Sequence, residues 1–200
     1  MSQGTDMFKA IEIEINSRCN MSCSYCPNSI NARENHGVMD PGLFEKIMSE
    51  LKSLDFRGRV SYDFYNEPML CPYLNEFVGT TKAYLPQVTT VLYTNGSFLT
   101  YGRFNELLER GIDYFVVTKH EGVEGNYTFD ETFDSLSEEG KARVEYRKHD
   151  DMTKFNRGGV LPPFHGKSIQ PLSPCYIPST MFTVTHEGKV LPCFEDVKES

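Results

Sequence analysis

The sequence predicts an α/β fold, a partial (β/α) barrel of about five or six units followed by a C-terminal hairpin. Short apolar strands alternate with amphipathic helices up to about Gly159. This order is typical of right-handed βαβ units that build a parallel sheet. The number of units is smaller than the eight of a closed barrel, so a partial barrel is expected.

The first predicted strand runs from Phe8 to Asn16 and alternates isoleucines with Glu12 and Glu14. A period of two predicts one apolar face. The two glutamates share the other face. That face is either solvated or, if this strand opens a barrel, lines the cavity.

The next elements follow in alternation. The helix predicted after Asp40 has an Asp N-cap and Pro41 in its first turn, and Gly111 is the expected C-cap of a later helix. The predicted helices are 40–54, 73–84, 100–110 and 130–140, the predicted strands are 59–65, 88–93, 112–118 and 143–146, and a turn is predicted at 156–159.

The composition changes to Pro and Ser between Leu161 and Pro178, which indicates a linker or domain boundary. Beyond it, residues 181–185 and 189–191 flank His-Glu-Gly and predict a β-hairpin. We therefore expect a barrel domain over residues 1–160 and a linker with a small C-terminal region over residues 161–200.

Composition excludes several classes of protein. The formal charge of −8 over 200 residues disfavours a nucleic-acid partner, which would need a basic face. No apolar run is long enough to cross a membrane, and residues 1–8 lack the pattern of a signal peptide. We expect a cytoplasmic protein, in which six cysteines indicate metal ligation or catalysis rather than disulfides.

Three of these cysteines, Cys19, Cys23 and Cys26, lie on one loop directly after the first strand. Three thiolates can hold three irons of a four-iron, four-sulfur cluster and leave the fourth iron open for a ligand. Two alternatives remain at this point. The loop could belong to a zinc knuckle with His36 as a fourth ligand, or the three thiols could be unrelated.

The Cys-x3-Cys-x2-Cys spacing, with Tyr25 before the last cysteine, resembles the motif of the radical S-adenosylmethionine (SAM) superfamily. The resemblance implies that the open iron chelates SAM and that the reduced cluster cleaves it to a 5′-deoxyadenosyl radical. Glu67-Pro68 matches part of the superfamily's Gly-Gly-Glu-Pro-like motif, with Asn66 at a position where glycine is usual. A plain strand-to-helix turn remains the alternative there.

The C-terminal hairpin resembles the auxiliary-cluster region of the SPASM and twitch branches. Cys175 precedes the hairpin and Cys193 follows it, and the resemblance implies that both ligate a second 4Fe-4S cluster. A disulfide or two free thiols is the alternative. The remaining auxiliary ligands of those branches lie further downstream than Ser200, so we expect either a truncated version of a longer enzyme or an incomplete auxiliary cluster.

Several short motifs, including Tyr-Thr-Asn-Gly, Val-Thr-Lys-His, Asn-Arg-Gly-Gly and Leu-Pro-Cys-Phe-Glu-Asp, resemble the radical SAM dehydrogenases that oxidise 2-deoxy-scyllo-inosamine in aminoglycoside biosynthesis. The resemblance implies hydrogen abstraction from a carbon bearing a hydroxyl, loss of the hydroxyl proton, and transfer of the second electron to the auxiliary cluster. It also implies an aminocyclitol substrate and a flavodoxin- or ferredoxin-type electron donor.

By motif position, this resemblance distributes the candidate residues over two sites. The residues expected around SAM are Tyr25, Asn66, Glu67, Thr94, Asn95 and His120. The residues expected near the cyclitol are Glu12, Tyr93, Arg157 and Glu195. Carboxylates suit a cationic amino sugar, and Arg157 is a partner for a hydroxyl or alkoxide rather than a base. The proton acceptor is left open between Glu195, Glu12 and a water.

Two rival functions remain. One is another radical SAM enzyme on the same scaffold, such as a peptide epimerase or crosslinking enzyme, because fold does not fix function. The other is a non-catalytic iron-sulfur or zinc protein that senses redox state or metal. In such a protein the turns at Glu67-Pro68 and at residues 93–96 would have no role.

Overall fold

The computed structural model describes residues 8–30, 36–123, 127–151, 161 and 176–196. Its seven strands are β1 (Ala10–Ile13), β2 (Arg59–Ser61), β3 (Thr89–Thr94), β4 (Tyr114–Lys119), β5 (Val144–Lys148), β6 (Met181–Val184) and β7 (Val190–Leu191). Its helices are α1 (Pro27–Ile30), α2 (Pro41–Ser53), α3 (Leu74–Tyr84), α4 (Tyr101–Arg110), α5 (Thr128–Ser135), α6 (Glu138–Lys141) and α7 (Ile177–Thr180).

The strands form one sheet in the order β5-β4-β3-β2-β1-β6-β7. Every pair from β5 to β6 is parallel, and only β6 and β7 are antiparallel. The predicted α/β class, the parallel sheet and the C-terminal hairpin are therefore confirmed. The hairpin adds to the barrel sheet itself, because β6 pairs with β1 along all four of its residues.

The two faces of this sheet differ in chemistry because successive side chains alternate. One face carries Ile11, Ile13, Tyr62, Leu92 and Phe115, and it packs with the helices as the main hydrophobic core. The register places the other set of residues on the opposite face, and most of that set is polar. Its polar members include Glu12, Arg59, Ser61, Tyr93, Thr118, Glu145, Arg147 and Thr183.

Local signals explain where the helices begin and end. Asp40 accepts a hydrogen bond from the backbone N–H of Leu43 (3.1 Å) at the start of α2, as its position before Pro41 predicts. Gly111 ends α4 with φ of 119°, a left-handed conformation that glycine adopts without strain. Both predicted caps are confirmed.

Three predicted elements needed correction. The strand predicted over 8–16 covers only Ala10–Ile13. The strand predicted over 59–65 ends at Ser61, since the following residues leave the sheet to form the rim of the pocket. The helix predicted over 130–140 is two helices, α5 and α6. Leu136 has an extended backbone (ψ 145°), and the Ser137 side chain caps α6 by accepting from the N–H of Gly140.

Within the described part of the chain, no helix is long and apolar enough to cross a membrane. The predicted turn at 156–159 lies outside the described residues, and so does most of the predicted linker. The division into residues 1–160 and 161–200 stays a prediction.

Candidate active site

A pocket of about 190 Å³ lies at the carboxyl ends of the parallel strands, which is where α/β folds of this kind bind ligands. The loops after β1, β2, β3 and β4 meet around it. Its lining consists of Cys19, Met21, Cys23, Tyr25, Cys26, Pro27, Asp63, Phe64, Tyr65, Asn66, Glu67, Tyr93, Thr94, Asn95, Thr118, His120, Arg147 and Phe194.

The cysteine loop is tied to the barrel by hydrogen bonds from its flanking residues. The backbone N–H of Glu67 donates to the carbonyl of Arg18 (2.8 Å), and the Asn28 side chain donates to the carbonyl of Tyr65 (2.6 Å). The N–H of Cys26 donates to the carbonyl of Cys23 (3.0 Å). These bonds hold the loop over the end of β2, so its three thiols face the pocket.

The three thiols are chemically suited to an iron-sulfur cluster. Cys23 is buried, while Cys19 and Cys26 are partly buried. Burial raises the pKa of Cys19 and raises that of Cys23 to about 11, with smaller contributions from the neighbouring thiols. A bound cation reverses this effect, because a coordinating thiol is deprotonated.

Among the described residues, no three His, Cys, Asp or Glu side chains converge on the position of one ion. Three thiols on one loop fit a cluster in which each thiolate binds a separate iron. The ring of His36 is instead close to Ser17, with Nδ1 at 3.2 Å from the Ser17 carbonyl. The residues therefore fit a 4Fe-4S cluster.

Glu67 joins the turns that follow β2 and β3. Its carboxylate accepts hydrogen bonds from the Thr94 hydroxyl (2.7 Å), the N–H of Asn95 (2.7 Å) and the N–H of Met69 (3.0 Å). Burial raises the pKa of Glu67 to about 7, against the effect of these donors. The Glu67-Pro68 motif thus forms a buried junction, which is more than a plain strand-to-helix turn.

The two asparagines of the predicted SAM site form hydrogen bonds with other asparagine side chains. Asn66 donates to the side-chain oxygen of Asn16 (2.7 Å), and the amide of Asn95 donates to the side-chain oxygen of Asn20 (2.8 Å). The same Asn95 amide lies 3.8 Å from the sulfur of Cys19. Amide donors near a cluster thiolate tune its charge and fix its orientation.

Tyr25 and His120 form a pair on the opposite wall. The Tyr25 hydroxyl lies 2.5 Å from Nδ1 of His120. Burial and the nearby His149 lower the pKa of His120 to about 4, so this imidazole is neutral at pH 7. A neutral ring nitrogen can accept the hydrogen bond of Tyr25, which orients the aromatic residue of the cysteine motif.

Beneath the pocket, the polar face of the sheet carries a group of charged side chains. Arg59 donates to the hydroxyl of Tyr93 (3.0 Å) and lies 3.9 Å from the carboxylate of Glu12. Glu12 also accepts from Thr183 (3.0 Å). The Glu12 side chain is buried inside the barrel and does not line the pocket directly. Of the two alternatives for the glutamate face, the solvated one is wrong.

The segment after β7 closes one side of the pocket. Phe194 packs edge-on against Phe64 with centroids 5.0 Å apart, and its carbonyl accepts from the Tyr65 hydroxyl (2.9 Å). Cys193 and Glu195 flank this phenylalanine and are partly buried. The N–H of Glu195 donates to the sulfur of Cys193 (3.3 Å).

The structure thus brings most of the predicted site residues to one pocket. Those that line it are Cys19, Cys23, Cys26, Tyr25, Asn66, Glu67, Tyr93, Thr94, Asn95 and His120. Glu12 lies below it, Cys193 and Glu195 lie beside its rim, and Arg157 and Cys175 fall outside the described residues.

Sequence reasoning missed Asp63, Thr118 and Arg147, which also line the pocket. The sequence signal that could have found them is the two-residue alternation of side chains along the strands. Thr118 and Arg147 are register partners on neighbouring strands, and Asp63 is two residues beyond Ser61 on the polar face. A period-two reading extended to every strand would have found them.

Comparison with known proteins agrees with this geometry. The model of the radical SAM superfamily matches residues 13–150. The chain belongs to the radical SAM superfamily. Members of this superfamily bind a 4Fe-4S cluster and SAM, so the alternatives of a zinc knuckle and of three unrelated thiols are set aside.

One protein sequence and one crystal structure are similar to almost the whole chain. The S-adenosyl-L-methionine-dependent 2-deoxy-scyllo-inosamine dehydrogenase of Niallia circulans is 45% identical over 193 residues, which cover 96% of this chain and 76% of the relative. The crystal structure of BtrN in complex with AdoMet and 2-DOIA is also 45% identical, has a TM-score of 0.88, and is matched over 96% of this chain and 75% of that one.

A second BtrN structure, in an open conformation, is 39% identical and has a TM-score of 0.73, with 96% of this chain and 72% of that chain covered. The higher TM-score with the AdoMet complex means that this fold resembles the ligand-bound arrangement more than the open one.

Proposed function

We propose that this protein is a radical SAM dehydrogenase that oxidises a secondary alcohol of an aminocyclitol, such as 2-deoxy-scyllo-inosamine, to a ketone in aminoglycoside antibiotic biosynthesis. The observation that carries the proposal is the 45% identity to a 2-deoxy-scyllo-inosamine dehydrogenase along almost the whole chain. The polar, buried face beneath the pocket supports it, because a hydroxylated and cationic substrate needs donors, acceptors and carboxylates around it.

In this proposal, Cys19, Cys23 and Cys26 hold the SAM cluster. The cluster with SAM supplies the one-electron chemistry that removes a hydrogen atom from the hydroxyl-bearing carbon. Glu67 fixes the turns that surround the SAM amino group, and Tyr25, oriented by His120, covers the same region. The buried walls exclude water from the reacting atoms.

The remaining residues act on the substrate. Tyr93, whose hydroxyl accepts from Arg59, can orient a cyclitol hydroxyl, and Arg157 would stabilise the developing oxygen charge. Of the two candidate proton acceptors in the chain, Glu195 follows pocket-lining Phe194, whereas Glu12 lies behind the lining. We therefore assign the role of proton acceptor to Glu195 rather than to Glu12.

The proposal includes an auxiliary 4Fe-4S cluster held by Cys175 and Cys193 with ligands still to be identified. It also includes a flavodoxin- or ferredoxin-type electron donor, because the SAM cluster must be reduced in each cycle. The thiolate ligands call for a reducing compartment, and on that ground we propose a cytoplasmic location.

The test is anaerobic reconstitution with iron and sulfide, followed by incubation with SAM, dithionite and 2-deoxy-scyllo-inosamine. We expect 5′-deoxyadenosine and the ketone product from the wild type and neither from Cys23→Ala. Cys71→Ala is the matched control, because Cys71 is a buried cysteine whose sulfur donates to the carbonyl of Ile15, outside the cysteine loop. SAM cleavage without oxidation of the aminocyclitol would contradict the proposed substrate.

A further inference from the structure

Asp63 is a buried carboxylate in the wall of the pocket. It lies two residues beyond the end of β2, and only 8% of its surface is exposed. Its Oδ1 atom is fully buried and has no hydrogen-bond partner among the described residues. Buried carboxylate oxygens without a donor are rare in folded proteins, so this atom needs an explanation.

Neither arginine around the pocket neutralises Asp63. Arg59 influences its charge but forms no ion pair with it within 4 Å, because the guanidinium is held by Tyr93 and lies near Glu12. Arg147, the other cation in the pocket lining, is paired with Glu145 (2.6 Å). The carboxylate is therefore left without a cationic partner in the described part of the protein.

Burial raises the pKa of Asp63 to about 6, while Arg59 and the Ser61 side chain oppose the rise. At pH 7 the carboxylate is thus largely ionised. An ionised carboxylate out of water is costly unless it is paired. A ligand that brings a positive charge into the pocket would supply the missing partner.

Asp63 differs in this respect from Glu67, the other acidic residue in the described lining. Both oxygens of Glu67 already accept hydrogen bonds from the turns after β2 and β3. The acceptor capacity of Glu67 is used by the fold, whereas that of Oδ1 of Asp63 remains available to a ligand.

We propose that Asp63 binds the protonated amino group of the aminocyclitol and is the residue that selects an amine over a hydroxyl at that position. This inference rests on the proposed function, and it assigns the substrate's orientation to the residue at the end of β2. A charge-assisted hydrogen bond of this kind is about twice as strong as a neutral one.

The experiment compares Asp63→Asn with the wild type, both reconstituted anaerobically and saturated with SAM. Two probes are used, 2-deoxy-scyllo-inosamine and the same cyclitol with a hydroxyl in place of the amine. Isothermal titration calorimetry gives the dissociation constants, and turnover gives KM and kcat. Asp134→Asn, on the exposed side of α5, is the matched control for the loss of one carboxylate.

We expect Asp63→Asn to weaken binding of the amine by about 10- to 100-fold and to leave binding of the hydroxyl analogue within about 3-fold. KM for the amine should rise more than kcat falls. Iron content should match the wild type, which shows that the variant is folded and loaded. Asp63→Ala should give the same loss of preference, and Asp134→Asn should keep the wild-type values.

Equal weakening for both probes, or an unchanged preference for the amine, would overturn the assignment of Asp63 and leave the dehydrogenase proposal standing. Amine-selective binding that depends on Asp63, without oxidation of the amine by the wild type, would support Asp63 and overturn the proposed reaction. Failure of the wild type to bind the amine would overturn both.

Discussion

Glu12 is a residue whose surroundings destabilise its ionised form. Its side chain is buried inside the barrel, Asp63 is a nearby like charge, and together these raise the pKa of Glu12 to about 8 from its ordinary value of 4.5. The donor Thr183 and the cation Arg59 oppose the rise. The folded protein therefore favours the neutral form of Glu12 at pH 7.

This predicts a dependence of stability on pH. Since folding raises the pKa of Glu12, its contribution to stability is fully present below pH 4.5 and is lost as pH rises through about 8. Glu12→Gln keeps an acceptor for Thr183 and removes the charge. We expect the free energy of unfolding of this variant, relative to the wild type, to increase by at least about 1 kcal/mol between pH 5 and pH 8.5.

Urea unfolding at both pH values measures the effect. Glu109→Gln is the control, because Glu109 is an exposed residue of α4 and should show no such change. Equal pH dependence in the two variants would contradict the buried-charge interpretation of Glu12.

The turn after β3 shows how one element positions the site. Gly96 has φ of 72°, and a Cβ atom there would clash with the hydroxyl of Tyr127. That hydroxyl donates to the carbonyl of Asn95. The turn therefore depends both on a left-handed backbone and on close approach of the tyrosine.

Gly96→Ala should lower the free energy of unfolding by roughly 2–4 kcal/mol, since strain and a clash with buried atoms act together. It should also weaken SAM binding, because Thr94 and Asn95 in this turn bind the carboxylate of Glu67. Thermal denaturation and SAM titration measure the two effects.

Gly79→Ala is the matched control for this turn. Gly79 lies in α3 with no atom within 4 Å of its added Cβ, so alanine there should stabilise the helix by about 1 kcal/mol. If Gly96→Ala is as stable as Gly79→Ala, the turn does not need a left-handed residue.

At the scale of the whole molecule, the C-terminal hairpin and the N-terminal strand share one sheet. β6 pairs with β1, and the segment after β7 packs Phe194 against Tyr65 at the pocket rim. Glu12 and Thr183, which are 171 positions apart in sequence, thus contact each other in neighbouring strands. This places Cys193, the proposed ligand of an auxiliary cluster, beside the pocket.

We expect Cys193→Ala to lower the iron content from about eight to about four per chain. Cleavage of SAM should persist, whereas formation of the ketone should fall by at least about tenfold, because the second electron loses its acceptor. Iron analysis and product assays measure this, with Cys71→Ala again as the control. A wild type that binds only about four irons would contradict a complete auxiliary cluster in this chain.

Local sequence signals predicted several features that the structure confirms. The period-two pattern of Ile11 and Ile13 predicted a strand, and Asp40 and Gly111 predicted helix ends. These predictions succeeded because caps and periodicity depend on residues a few positions apart. The spacing of Cys19, Cys23 and Cys26 identified the superfamily for the same reason, since one loop carries all three thiols.

Tertiary structure alone decided which polar residues became part of the pocket. Asp63 follows β2 and Arg147 lies in β5, and only the order and register of the strands bring them to one cavity. Glu12, on the polar face, is buried because β1 lies inside the sheet, flanked by β2 and β6. Sequence therefore determined the parallel sheet and the cysteine loop, whereas burial and charge inside the barrel arise from contacts between residues far apart in the chain.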